Sequence, residues 1–449
     1  MFRRVLVANR GEIAVRIIRA LREMNITSVA VYSREDKNAL HVRLADYRVC
    51  IGEGSARASY LNMNSIIAAA LNYNCDAVHP GYGFLSENAE FAQMCADFGL
   101  TFIGPSPELI ASLGSKTAAR KLMMDAGIPV VPGSSTPFAS AQEALPEARR
   151  IGFPVMIKAA EGGGGKGMRV CRDESSFTEA FTIAQQEAVN AFGSADLYLE
   201  RLLEHCRHVE VQILADRQGN IRILGERDCS IQRNHQKVIE ESPCPVLSEE
   251  TRAAMYADAR RAAEVSGYYS AGTIEFLVDP EQNHYFLEMN TRLQVEHGVT
   301  EITTGCDIVQ EQIRIAADEP MRIAEDIRPR GHSIECRINA EMPEQNFTPS
   351  PGTITAMHLP GGNGVRVDTA VYTGYTVPAE YDSMIAKIIV CADDREAAIQ
   401  RMRTALDETL ILGIDTNLDY LYKILETDAF KEGRADTSFL QVFTQGGHL

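Results

Sequence analysis

The densest concentration of chemically useful side chains lies in the run Tyr-Phe-Leu-Glu-Met-Asn-Thr-Arg-Leu-Gln-Val-Glu-His that begins at Tyr285. Read with a period of two, Glu288, Asn290, Arg292, Gln294 and Glu296 share one side, while Met289, Leu293 and Val295 take the other. If the segment stays extended to Glu296, it presents a row of carboxylates, amides and a guanidinium over an apolar back. A half-exposed antiparallel strand alternates in the same way; the chemical mixture sets this one apart. Glu275 lies in the preceding strand-like run, beyond the turn composition Asp279-Pro280-Glu281-Gln282-Asn283. A hairpin there brings Glu275 and Glu288 side by side. Adjacent carboxylates repel unless a proton or cation lies between them. With Asn290 they form a hard-oxygen site suited to Mg²⁺ or Mn²⁺ bridging nucleotide phosphates. Two surface glutamates on neighbouring strands remain the plainer alternative for that pair alone.

A second candidate is Lys158 with the glycine run 162–165, Lys166 and Gly167. Glycines let backbone N–H groups approach phosphate oxygens, and lysines supply balancing charge. The run is not a P-loop, because Met168 follows where that motif needs lysine. A flexible linker is the bland reading. The run's position between two strand-like pieces, one ending at Lys158 and one covering Met168 to Cys171, favours a hairpin lid over phosphates. The third candidate, Glu226 to Lys237, is dense in cationic and hydrogen-bonding groups; it reads either as an anion pocket or as a solvated loop.

The elements that must position these residues follow from the wider pattern. The chain has 449 residues, 45% hydrophobic and 23% charged, which predicts a soluble globular protein of two or three domains. Its formal net charge of -17 argues against nucleic acid as partner and demands a local positive pocket for any anionic substrate. Ten cysteines without a CxxC spacing indicate neither a zinc clip nor a redox pair, and read as reduced thiols in the cytoplasm. No apolar stretch approaches the roughly 20 residues that span a bilayer. Short strands at Val5–Ala8, Ser28–Tyr32, Cys75–Pro80 and Leu100–Pro105 alternate with helices, the first carrying Ile13, Ile17, Leu21 and Met24 at helical spacing. The class is therefore α/β, with a parallel-sheet unit over residues 1–114. Residues 115–203 read as a helical linker and lid, residues 204–330 as a mixed core, and residues 331–449 as a C-terminal region. No GxGxxG supports a dinucleotide site.

Taken together, the segments resemble the ATP-grasp fold and, within it, the biotin carboxylases. The resemblance spans nearly the whole chain. It rests on Val-Ala-Asn-Arg-Gly-Glu-Ile-Ala from Val7, on His-Pro-Gly-Tyr-Gly-Phe-Leu-Ser-Glu-Asn from His79, and on Glu-Met-Asn-Thr-Arg-Leu-Gln-Val-Glu-His from Glu288. It implies a Rossmann-like N-terminal domain, ATP-grasp lid and core domains, and a β-rich C-terminal region. It also implies ATP-dependent carboxylation of biotin by bicarbonate through carboxyphosphate. Lys116, Lys158, Gly163, Gly164 and Gly165 match phosphate-binding positions. Glu200 and Leu202 match adenine positions, with His208, Gln232 and His235 near the nucleotide. Glu275, Glu288 and Asn290 match the Mg²⁺ or Mn²⁺ ligands. Bicarbonate is expected against Lys237, Arg292, Gln294 and the backbone of Val295, with Glu296 as general base. Arg337 is expected to stabilise the biotin anion, and Tyr82 to support biotin. Three departures stand out. Gly298 replaces the usual proline beside the base and is expected to loosen that loop. Asn363 replaces an aromatic at a dimer contact where Arg19, Glu23 and Arg366 otherwise fit. Glu241 to Pro245 varies a segment that is more often alanine-rich.

There is no Ala-Met-Lys-Met segment, so the biotin is expected on a separate carrier protein, with a carboxyltransferase as further partner and a homodimer as assembly. Acetyl-CoA carboxylase, and hence fatty acid biosynthesis, is the setting the resemblance implies. Propionyl-CoA, pyruvate and urea-like or lactam acceptors stay open. An ATP-grasp ligase passing an acyl phosphate to an amine shares Lys158, Glu275 and Glu288 but leaves the two longer motifs unexplained. A regulatory nucleotide-binding subunit without catalysis would have lost Glu296, Arg292, Arg337 or a metal ligand, and all are present.

Overall fold

The computed structural model describes residues 1–134, 136–159 and 168–445. The short apolar runs of the N-terminal unit become β1 (Arg4–Val7), β2 (Thr27–Ser33), β3 (Tyr47–Gly52), β4 (Ala77–His79) and β5 (Thr101–Phe102). They form one parallel sheet in the order β3-β2-β1-β4-β5. Ile13, Ile17 and Leu21 are buried along the helix Gly11–Glu23, as the spacing predicts, and Met24 caps its end. Open α/β sheets gather ligands beyond the C-terminal ends of their strands. Here Asn9, just past β1, donates to the carbonyls of Pro80 (2.6 Å) and Tyr82 (2.8 Å), so the loop after β4 is pinned at that edge.

The lid is the antiparallel sheet β7-β6-β8, built from β6 (Val155–Ala159), β7 (Met168–Cys171) and β8 (Leu197–Arg201). It has its own core, in which Ile157, Phe177, Phe181 and Leu199 are buried. Gly163, Gly164 and Gly165 lie outside the described residues.

The largest sheet has eight strands: β9 (Arg207–Ala215), β10 (Ile221–Arg233), β11 (Gln236–Ser242), β12 (Ser270–Val278), β13 (His284–Asn290), β14 (His332–Asn339), β15 (Val365–Thr369) and β16 (Met384–Ala392). Their order is β13-β12-β9-β10-β11-β14-β16-β15, so one sheet carries strands from both sides of residue 331. Register puts ionisable residues in cross-strand rows. Glu288 opposes Glu275, Glu275 opposes Glu210, and Glu210 opposes Arg227. Further along, Glu240 opposes Glu335, Arg337 opposes Lys387, and Lys387 opposes Asp368. Since side chains alternate between faces, such rows concentrate charge on one surface of the sheet.

Two expectations change. The run from Glu288 does not stay extended to Glu296: β13 ends at Asn290, and a turn leads into the helix His297–Thr304. The chain leaves the ladder because Glu87, from the N-terminal unit, takes the Thr291 amide (3.4 Å) and the Arg292 Nε (2.7 Å), while Leu293 is buried in the core beneath. The Glu226–Lys237 segment is neither a solvated loop nor a simple pocket. It is mostly strand, turning at Asn234 and His235, both with positive φ (51° and 64°), as a tight hairpin requires.

Candidate active site

Although the chain turns after Asn290, the polar residues still converge. Arg292 donates through Nη1 to Gln294 Oε1 (2.7 Å) and through Nη2 to Asn290 Oδ1 (3.1 Å). Gln294 and Asn290 both donate to Glu275 Oε1, at 3.1 and 2.9 Å. The turn therefore replaces a straight polar row with a compact cluster over β12.

Lys237 sits at the centre. Its ammonium, reaching across from β11, contacts Glu296 (2.5 Å), Glu210 (2.6 Å) and Glu275 (3.1 Å). Burial alone would lower its pKa, but the surrounding Cys229, Glu210, Glu275 and Glu296 hold it well above the ordinary lysine value. On the other side Arg337 donates to Glu296 Oε2 at 2.9 Å and through Nε to Glu240 Oε1 at 2.7 Å. Glu296 is 1% exposed. Burial pushes its carboxyl up, yet Lys237, Arg337 and Arg227 outweigh this and hold it well below the usual range. It is a carboxylate at neutral pH. Glu210 is the opposite case. Burial raises it to about 7, with Glu296 and Glu275 adding repulsion that Arg227 and Lys237 only partly offset.

The nucleotide-side residues fall into three groups. His208 Nε2 lies 2.9 Å from Glu275 Oε2, and its Nδ1 is 2.7 Å from Gln232 Nε2. Lys158, at the end of β6, pairs with Glu200 on β8, which also lies 3.5 Å from Arg120. Lys116, exposed at the start of its helix, lies 3.4 Å from Glu288. Leu202 is partly buried, and its amide bonds the Pro154 carbonyl at 3.0 Å. His235, exposed on the hairpin turn, is not drawn into the cluster. Tyr82 donates its hydroxyl to Glu12 and makes no hydrogen bond to Arg337, although the two interact electrostatically.

Glu275 and Glu288, neighbours in register with Asn290 one rung on, form an oxygen-only set. In the protein alone the ammonium groups of Lys237 and Lys116 and the ring of His208 stand beside these carboxylates. The need for counter-charge and the hard donors fit a divalent ion. Among the described residues two other groups bring possible ligand atoms together: His208, Glu210 and Glu275, which shares only Glu275 with that set, and Glu210, Cys229 and Glu296, which shares none.

Several participants were not singled out from sequence: Glu210, Arg227, Glu87, Glu240 and Lys387. For Glu210 the signal was present, since His208, Glu210 and Gln212 alternate with Val209, Val211 and Ile213 along β9.

Gly298 does not loosen the loop. It is the second residue of the helix His297–Thr304 and fully enclosed. A Cβ there would stand 2.3 Å from Ile389 Cδ1 and 3.2 Å from Glu335 Oε2, so Ile389 fills the space a side chain would need. Gly298→Ala is expected to destabilise by about 1–3 kcal/mol through overpacking. Ile389→Val, which removes the clashing methyl, should return most of that loss in the double variant. Thermal unfolding midpoints of the three proteins check this; a single variant that unfolds with the unsubstituted protein contradicts it.

Lid, carboxylate row and mixed sheet together define an ATP-dependent ligase of the ATP-grasp type. Residues 115–324 match the family of the carbamoyl-phosphate synthase L chain, ATP binding domain. Residues 1–110 match the biotin carboxylase N-terminal domain and residues 335–442 the biotin carboxylase C-terminal domain. The chain belongs to the biotin carboxylase family. It is 53% identical over 441 residues to the biotin carboxylase of a Nostoc species, covering 98% of this chain and 99% of the relative. Among solved structures it is similar to the biotin carboxylase of Campylobacter jejuni in its beta-gamma-ATP complex. There the TM-score is 0.95 at 47% identity, with 98% of this chain and 99% of that one covered. It is similar as well to the biotin carboxylase domain dimer of Hydrogenobacter thermophilus 2-oxoglutarate carboxylase, in complex with MgADP, ADP and bicarbonate. That match has a TM-score of 0.94 at 48% identity and covers 99% and 98% of the two chains.

Proposed function

We propose that this chain uses ATP and bicarbonate to carboxylate biotin presented by a carrier protein. A carboxyltransferase then uses the product. The observation that carries the reading is the Glu296 carboxylate, buried between Lys237 and Arg337 and next to the Arg292–Gln294 donors. A base in that position faces an anion cradle, and the metal-competent Glu275–Glu288 pair lies directly behind it.

Lys237 and Arg292 bind bicarbonate, with Gln294 and the backbone of Val295 completing the cradle. Arg292 presents a planar fork that suits a planar anion. Glu296 removes the bicarbonate proton so that its oxygen attacks the γ-phosphorus of ATP. Lys116, Lys158 and the glycines at 163–165 hold the phosphates. Glu200, Leu202, His208, Gln232 and His235 frame the nucleoside. Glu275, Glu288 and Asn290 would hold Mg²⁺ or Mn²⁺, which neutralises the triphosphate when bound. Arg337 stabilises the negative charge that develops on the biotin ureido oxygen, and Tyr82 lines the biotin side.

Among the described residues no helix is long and apolar enough to cross a membrane; a cytoplasmic setting agrees with this. A homodimer is part of the proposal. Arg19, Glu23 and Asn363 are exposed, whereas Arg366 is already paired with Glu301 (2.7 Å) and Asp368 (2.7 Å) within the chain. The final acyl acceptor belongs to the carboxyltransferase.

The test is ADP release measured with and without bicarbonate and with and without free biotin. The expected result is release that needs bicarbonate and rises with biotin. ATP turnover indifferent to both, or ATP binding with no turnover, would overturn the reading.

A further inference from the structure

Lys387 is the only charged residue in the apolar strand Met-Ile-Ala-Lys-Ile-Ile-Val-Cys-Ala of β16, and it is fully buried. A buried ammonium must be paired and hydrogen-bonded to persist. Its partners come from four elements. It donates to the backbone carbonyl of Val295 in the turn before the helix His297–Thr304. It lies 3.3 Å from Glu12 on the first helix and 3.9 Å from Asp368 on β15. Glu335 on β14 faces it as well, with neither carboxyl oxygen hydrogen-bonded and its carboxyl pushed well above the usual range by burial.

Two of these contacts reach opposite sides of the site. The Val295 carbonyl belongs to the peptide that leads directly into Glu296. Glu12, in turn, accepts the hydroxyl of Tyr82. Arg337 is the cross-strand neighbour of Lys387 and holds the Glu296 side chain at 2.9 Å. One rung of the sheet thus carries two cations, one gripping the Glu296 carboxylate and the other the Val295 carbonyl of the peptide that precedes it. Of the proposed substrate positions Lys387 touches only the backbone of Val295, through its carbonyl.

We propose that Lys387 is a positioning residue that locks the Val295–Glu296 peptide and the Glu12–Tyr82 pair into one arrangement, coupling the bicarbonate side of the site to the biotin side. This rests on the functional reading above. Glu296 is set to receive the bicarbonate proton only while its peptide is held. Tyr82 presents a fixed wall to biotin only while Glu12 is held. Loss of the ammonium frees both at once and leaves the nucleotide groups on β9, β12 and the lid untouched.

Lys387→Met keeps most of the side-chain volume and removes the charge and donors. The expected result is a fall of about tenfold or more in kcat for bicarbonate-dependent ADP release, a raised KM for free biotin, and a KM for ATP within about twofold of the unsubstituted protein. A merely structural role would lower the unfolding midpoint without this split between ATP and biotin. A folded Lys387→Met variant with unchanged kcat and unchanged KM for biotin overturns the proposal. If that variant does not accumulate in folded form, Glu12→Gln decides. It leaves Tyr82 an acceptor but removes the charge that draws Lys387. A KM for biotin raised about threefold or more supports the coupling, and an unchanged one overturns it. Failure of the unsubstituted protein to show bicarbonate- and biotin-dependent release would remove the functional reading and this inference together. Dependence in that protein that persists unaltered in the variants sinks the inference alone.

Discussion

Glu296→Ala is expected to lower bicarbonate-dependent ADP release by about 10²–10⁴-fold, the usual range for loss of a positioned general base. The fold should survive the change. Lys237 keeps Glu210 and Glu275 as partners, and Arg337 keeps Glu240. No buried cation is left unpaired, so the loss reports chemistry and not collapse. In the protein alone Lys237, Arg337 and Arg227 hold the Glu296 carboxylate well below the ordinary range. In the proposed roles bicarbonate would share Lys237 and weaken that hold, so base strength would rise when the substrate arrives. The depressed pKa also fixes the sign of the pH effect. Glu296 is ionised at every pH above the ordinary glutamate value, so any acidic loss of activity between about pH 5 and pH 7 arises elsewhere. Glu210, at about 7 and in contact with the same lysine, is the group to suspect. Steady-state kinetics with ATP and bicarbonate varied separately make the check. KM for ATP should stay within about twofold, and a variant retaining more than about a tenth of the rate would remove Glu296 from the role of base.

How far the site was legible follows from what each placement depends on. The pairing of Glu275 with Glu288 needed only a two-residue period and a turn between them, and the register bears it out. The path of the chain after Asn290 depended on Glu87, more than 200 residues earlier in the sequence, and no local pattern contains that pull. Glu210 lies on the polar side of a visible alternation, but the alternation alone does not say that Lys237 and Arg227 from other strands converge on it. Lys387 carried a different sign: a lone charge inside an apolar strand has to be paired, but the partners on the first helix, β14 and β15 appear only once the sheet order is known. Glycine in place of proline at 298 suggests looseness in the sequence, and the neighbour that fills the space there, Ile389, is too distant in sequence to be visible. The parallel N-terminal sheet, by contrast, was evident in the regular alternation of short apolar strands and amphipathic helices, a local property.

Arg227→Met should produce the largest loss of stability of any single substitution near the site. Arg227 and Glu210 are both fully buried and 2.5 Å apart. The guanidinium also donates to Gln212 (2.8 Å), to Thr300 (2.9 Å) and to Thr273 (3.3 Å), which ties the helix His297–Thr304 to β9 and β12. Removing one partner of a buried pair costs about 3–5 kcal/mol, chiefly because the other charge stays behind. Here that charge is Glu210, left with Lys237 as its remaining cationic partner. Its carboxyl is already raised by burial to about 7, and without Arg227 it moves higher still. A carboxyl whose native pKa lies above its unfolded value stabilises fully at pH below the unfolded value and loses that contribution as pH climbs through the native one. Arg227→Met should therefore unfold at a higher temperature near about pH 6 than near about pH 8, by a wider margin than the unsubstituted protein. Adding Glu210→Gln removes the under-compensated charge and should recover part of the loss while flattening the pH dependence. If Arg227→Met alone unfolds within about 2 °C of the unsubstituted protein at both pH values, the guanidinium is not what holds the helix His297–Thr304 to the sheet.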